Sequence, residues 1–66
     1  MNVVVNGQPC ELPDRLTIAD LLRRLELPER GVAVEVNLAI VPRTRHAEHV
    51  LTDGDRLEVV SLVGGG

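Results

Sequence analysis

One stretch of this chain has helical periodicity, and the rest must fold around it. Ile18, Leu21, Leu22 and Leu25 fall at i, i+3, i+4 and i+7, which places four aliphatic side chains on one helical face. Thr17 precedes them as an N-cap. Asp20 stands at the third helical position, a capping-box arrangement with Asp in place of the usual Glu. Arg23 and Arg24 occupy the last turns, where cations suit the helix dipole. Pro28 is expected to stop the helix and Gly31 to close the turn after it. A single short helix with one apolar stripe needs a sheet to bury that stripe. With 66 residues the chain is one small domain, and a domain of this size buries only about 60% of its unfolded surface. It contains no Phe, Tyr or Trp, so the core is to be built from Val, Leu, Ile and Ala.

The flanking segments read as strands. Met1 to Asn6 carries Val3, Val4 and Val5, β-branched residues for both faces of a sheet. Asn6-Gly7 is the strongest short hairpin signal, because both residues accept the positive φ of a type I′ turn. Gln8 to Leu12 is the return strand. Pro9, lacking an N–H, places it at a sheet edge or at its own start. Cys10 alternates with Leu12 and is read as a small inward hydrophobe, since nothing local would activate its thiol. Val32 to Val36 is a third strand, with Val32, Val34 and Val36 alternating against Ala33 and Glu35. Asn37 bends the chain into a short fourth strand, Leu38 to Val41, ended by Pro42. Arg43 to His49 is polar and is expected to form a 3₁₀ or irregular surface turn. His46 and His49 have an i, i+3 spacing that metal pairs use, but two histidines without a third ligand do not make a metal site. Asp53-Gly54-Asp55 is a tight turn that launches the final strand, Arg56 to Leu62.

The final strand is the most apolar and is therefore expected beside the first, in the middle of the sheet. The expected architecture is α+β: a mixed sheet of four to five strands wrapped around one helix, the β-grasp arrangement that ubiquitin also has. Val3, Val5, Ile18, Leu21, Leu22, Leu25, Val34, Leu57 and Val59 are the expected core. If Leu57 and Val59 face inward, Val60 and Leu62 fall on the open face and form a candidate docking surface.

Charge and composition exclude several classes of function. A net charge of −3 disfavours nucleic acid, whose ligands present basic patches with stacking aromatics. All seven basic residues are arginine, for which codon preference is a sufficient reading. One cysteine rules out an internal disulfide and fits a reducing cytoplasm. No apolar run approaches the roughly 20 residues of a membrane span, and no signal sequence is visible.

The chain ends Val63-Gly64-Gly65-Gly66. Three glycines after an apolar strand add nothing to a core, and without Cβ atoms they can thread a slot too narrow for any side chain. Residues 1–62 are therefore read as the folded domain and residues 63–66 as a flexible tail. The Gly66 carboxylate, left sterically open, is ionised at neutral pH and must be activated before it can do acyl chemistry. Glycine-rich termini also occur simply as frayed ends.

The segment from Asn37 to Gly66 resembles the C-terminal half of the ThiS family, the sulfur carriers of thiamine biosynthesis. The shared features are Asn37 followed by Ile40-Val41-Pro42-Arg43, then Asp53-Gly54-Asp55, then Glu58-Val59-Val60, then the Gly-Gly end. The N-terminal half agrees in plan, with a strand, Asn6-Gly7 and a Thr17-led helix with paired leucines. The resemblance implies a protein co-substrate rather than an enzyme. A ubiquitin-activating-like enzyme would use ATP and Mg²⁺ to adenylate Gly66. Sulfur from a cysteine desulfurase persulfide would then replace AMP, and thiazole synthase would take it from the Gly66 thiocarboxylate. The carrier itself would bind no cofactor, and Val63, Gly64 and Gly65 would thread the partner's active site. The chain departs from the family pattern at His46 and at Leu62, positions where an aromatic is common. Carriers of the same fold and ending serve molybdopterin, cysteine or tRNA-thiolation pathways. A β-grasp interaction module without acyl chemistry is the alternative of a different class.

Overall fold

Residues 1–62, which the computed structural model describes, form five strands and one α-helix. In chain order these are β1 (Asn2–Val5), β2 (Gln8–Glu11), α1 (Ile18–Arg24), β3 (Val32–Val36), β4 (Ala39–Val41) and β5 (Arg56–Ser61), with a 3₁₀ turn at Arg43–Arg45. The order across the sheet is β2-β1-β5-β3-β4. The sheet is mixed: β1 and β5 run parallel, and every other neighbouring pair is antiparallel. The last strand therefore lies beside the first at the centre, and Pro9 sits on an edge strand where its missing N–H costs no ladder bond. This is the β-grasp arrangement.

The hairpins form where the sequence places residues that tolerate positive φ. Asn6 and Gly7 turn β1 into β2 at φ 51° and 80°. Asn37 and Leu38 turn β3 into β4 at φ 51° and 72°. Leucine is an unusual occupant of the second position, because its Cβ is crowded in the left-handed region.

The helix has its backbone groups satisfied at both ends. At the N-terminus, the N–H of Ile18 bonds the His49 carbonyl and that of Ala19 bonds the His46 carbonyl, both at 3.0 Å. Asp20 N–H bonds the Thr17 hydroxyl at 3.1 Å, and the Asp20 carboxylate accepts from the Thr17 N–H at 3.1 Å, completing the capping box. The Thr17 N–H, then the Arg23 guanidinium at 2.6 Å, hold the Asp20 carboxyl below the usual aspartate range.

At the C-terminus the chain ends its helix earlier than Pro28 would require. Leu25 is the C-cap, and Glu26 takes φ 59° in the position that glycine usually fills. The Glu26 N–H bonds the Arg23 carbonyl at 3.0 Å and the Leu27 N–H bonds the Leu22 carbonyl at 2.9 Å. These two bonds close a Schellman motif, so Pro28 follows the stop instead of causing it. The closure also corrects the expected core: Leu25 is 41% exposed, and Leu27 packs against the cluster.

The other eight expected core residues are buried, joined by Leu12, Val32, Val36, Val41 and Leu51. The cluster is made of Val, Leu and Ile, with no alanine in it. Cys10 is half-buried against it.

His46 is a second correction. It was expected on a surface turn, but its side chain is buried, with Nε2 2.9 Å from the Val41 carbonyl. Its own carbonyl and that of His49 cap the helix, and this draws the polar segment against the start of α1. The imidazole then lines the space beside Ala19 and Leu22, a place that takes a flat ring.

Candidate functional site

The alternation of β5 decides what the open face presents. Leu57 and Val59 point to the helix and are buried, whereas Glu58 and Val60 are exposed. Val60 stands opposite Ala33 of β3, and Ser61 opposite Val32. The Leu62 N–H bonds the Gly31 carbonyl, which keeps the chain alongside the sheet for one residue beyond the strand. Leu62 itself is 68% exposed. Of the two residues read from sequence as a docking surface, Val60 lies in β5 and Leu62 one residue beyond its end, next to the point where residues 63–66 begin. Val63, Gly64, Gly65 and Gly66 lie outside the described residues.

The start of the same strand is anchored by a polar network. Asp55 is buried at the mouth of β5. Burial alone would raise its pKa, but hydrogen bonds from the Thr52 N–H, the Asn37 side-chain amide and the Thr52 hydroxyl outweigh it and hold the carboxyl below its usual range. Those bonds are 2.9, 3.0 and 3.0 Å long. Asn37 turns its other amide atom to the strand, accepting from the Arg56 N–H at 3.0 Å. In the neighbouring turn, Asp53 accepts from the Asn2 N–H at 2.6 Å and Gly54, at φ 88°, donates to the Asn2 carbonyl. The Asp-Gly-Asp turn therefore fixes the central strand against both neighbours, and so fixes the direction in which its far end points.

Four further residues belong to the open face or its margin. Glu35 lies opposite Glu58 on β5 and opposite Ile40 on β4. Ile40 is 74% exposed, and Leu38, at the hairpin tip, is 91% exposed. The signal for Glu35 was the alternation of β3 itself: with Val32, Val34 and Val36 inward, position 35 must face outward. The pairing of Glu35 with Glu58 requires the strand register, which no single strand reveals. A separate hollow of about 110 Å³ lies on the helix side beside Ala19, Leu22, Leu27 and His46, away from the end of β5. Among the described residues no helix is long and apolar enough to cross a membrane.

Comparison with known proteins agrees with this fold. The ThiS family model matches residues 3–66. The chain is 32% identical to the sulfur carrier protein ThiS of Escherichia coli K12 over the full length of both. It is 42% identical over 66 residues to a thiazole synthase of Paramagnetospirillum magneticum, where it spans 20% of the longer protein. The crystal structure of the thiamine biosynthesis protein ThiS from Geobacter metallireducens superposes with a TM-score of 0.83 at 32% identity, each chain covered completely. The chain belongs to the ThiS family of sulfur carrier proteins.

Proposed function

We propose that this chain carries sulfur as a thiocarboxylate on Gly66 and delivers it to thiazole synthase in thiamine biosynthesis. The observation that supports the reading is that the described fold runs, hydrogen-bonded, up to the residue before the glycine-rich segment. The central strand pairs with β3 and the Leu62 N–H bonds the Gly31 carbonyl just before β3, so the folded body of residues 1–62 is followed directly by Val63-Gly64-Gly65-Gly66.

The body docks and the tail reaches. Val60 and Leu62 seat the open face on an adenylating enzyme of the ubiquitin-activating kind. Four extended residues then carry the carboxylate at most roughly 13–14 Å beyond the sheet. Ordering them costs about 1–2 kcal/mol each in backbone entropy, which the docked face and hydrogen bonds to the partner offset. Val63 enters the slot first as the last residue with a side chain, and Gly64 and Gly65 present none to its narrow part.

A Gly66 carboxylate oxygen attacks the α-phosphorus of ATP, held with Mg²⁺ by the partner, and pyrophosphate leaves. The outer sulfur of a persulfide, charged by a cysteine desulfurase, then displaces AMP from the acyl carbon to give an acyl disulfide. A second thiol on the partner attacks the persulfide's own cysteine sulfur, releasing the thiocarboxylate and leaving a disulfide on the partner for a cellular dithiol to reduce. The resulting thiocarboxylate is a soft nucleophile, which thiazole synthase consumes. None of these steps calls on a side chain of the carrier, which acts as a protein co-substrate. A cytoplasmic setting suits the free thiol of Cys10.

ATP–pyrophosphate exchange with the adenylating enzyme tests the proposal. Wild type supports exchange. Deleting Gly66 shortens the reach by one residue, and Gly65→Val puts a branched side chain in the slot, so both lose exchange while melting as wild type does. Full exchange from both variants would make the tail a frayed end and the chain an interaction module.

A further inference from the structure

Gly31 holds the far end of β5. Strand β3 begins at Val32, which stands opposite Ser61, and Gly31 bends just before it at φ 73°. Its carbonyl accepts the Leu62 N–H, the backbone bond furthest along the chain among the described residues. The Leu62 side chain is largely exposed, so this residue is held by its backbone and not by packing. One glycine carbonyl therefore sets where the folded body stops.

Glycine takes this backbone freely, whereas a Cβ is crowded there, and a β-branched side chain most of all. An ordinary residue at position 31 would relieve the crowding by rotating out of the left-handed region. That rotation would carry the carbonyl away from Leu62. The entry to β5 has its own fastening in Asp55 and Asn37, so the bond to Gly31 is not needed to hold the strand in register.

We infer that Gly31 is a positioning residue: by holding the Leu62 N–H, it fixes the point from which Val63-Gly64-Gly65-Gly66 reach for the nucleotide. The inference rests on the reading above that the Gly66 carboxylate is adenylated. A carboxylate at the end of four residues comes within attacking distance reliably only if the first of them starts from a set place. Releasing Leu62 spreads that starting point by the reach of one more residue, roughly 3.5 Å. It also adds a residue to be ordered, which lowers the reactive fraction about fivefold to thirtyfold. Saturating the partner with carrier overcomes weaker docking or a partly unfolded population, but it leaves the tail of the docked chain misplaced.

The test compares Gly31→Val with Gly31→Asn, because asparagine tolerates positive φ better than most side chains. Gly31→Ala is the milder variant if Gly31→Val does not fold. Amide hydrogen exchange reads whether Leu62 is held, and ATP–pyrophosphate exchange with the adenylating enzyme at saturating carrier reads kcat. In Gly31→Val the Leu62 amide should exchange faster, while that of Val59 on the same strand stays protected. Its kcat should fall about fivefold to thirtyfold. Gly31→Asn should stay close to wild type in both readings. A released Leu62 amide with unchanged kcat overturns the positioning role and leaves the carrier reading intact. A Leu62 amide that stays protected without glycine at position 31 also overturns it, because the bond would not depend on that residue. Loss of kcat in Gly31→Asn with its Leu62 amide still held overturns it too, since bulk at position 31 would be the cause. No exchange from wild type would remove the adenylation reading and this inference with it.

Discussion

The side-chain amide of Asn6 bonds both backbone groups of Val59, its Oδ1 accepting from the Val59 N–H at 2.7 Å and its Nδ2 donating to the Val59 carbonyl at 3.0 Å. The strands β1 and β5 pair only through Val4 with Arg56 and Val5 with Leu57, because Asn6-Gly7 then turns β1 away. Past that turn the edge of β5 would have no backbone partner on this side. The asparagine side chain stands in for the missing strand residue.

Removing this clamp should be felt in stability. Asn6→Ala strips both bonds and puts a Cβ-bearing side chain without a local polar partner at φ 51°. The expected loss is about 1–3 kcal/mol. Asn6→Asp keeps the acceptor for the Val59 N–H but sets a carboxylate against the Val59 carbonyl, so it should also lose stability. Urea unfolding followed by circular dichroism measures both, since the chain has no tryptophan. A loss under about 0.5 kcal/mol, the range of ordinary surface changes, would mean that the two bonds contribute little.

The helix face is tested by a pair of truncations. Leu22 is 2% exposed, so Leu22→Ala should cost about 2–5 kcal/mol and could unfold so small a domain. Leu25, left half in solvent by the Schellman closure, should cost under about 1 kcal/mol when cut to alanine. Equal losses at the two positions would place Leu25 back in the core.

Periodicity was enough for Ile18, Leu21 and Leu22, and alternation for β3 and β5, because burial acts on every turn of a helix and every second residue of a strand. Asn6-Gly7 and Asp53-Gly54-Asp55 were legible because positive φ restricts residue type. The open-face placement of Val60 and Leu62 followed from the same alternation. What was hidden depended on contacts distant in sequence. His46 is buried because its carbonyl caps a helix 27 residues earlier, at Ala19. Asn6 and Asn37 read as turn residues, and their bonds to β5 exist only once the sheet has assembled. Leu25 fits the helical repeat, but a glutamate able to adopt positive φ ended the helix one residue before it.

Acid should weaken the fold through Asp55. Its carboxyl is held below the ordinary aspartate value of 3.8 by the Thr52 and Asn37 bonds, which outweigh its burial. The folded state therefore binds its proton less readily than the unfolded chain. The resulting stability is fully present above the unfolded value and is lost as pH falls through the lower folded value. Urea midpoints measured from neutral pH down to about pH 2 should fall most steeply below 3.8. Asp55→Asn should be less stable at neutral pH and should show a shallower acid slope. An unchanged slope would remove Asp55 from the acid response.

Val60→Asp places a charge on the open face, at a side chain already 52% exposed. Binding to the adenylating enzyme should weaken strongly while the thermal midpoint moves little. Unchanged binding together with a large loss of stability would invert the roles of Val59 and Val60.

The central claim is that function resides in the Gly66 carboxylate, and intact-mass spectrometry of the protein purified from its own host reads that group directly. The account predicts a population heavier than the encoded chain by the difference between one sulfur and one oxygen, located by fragmentation at Gly66. That population should vanish when the adenylating enzyme is deleted, and it should build up when thiazole synthase is deleted. An unmodified mass in all three strains, with Gly66 intact, would contradict the account.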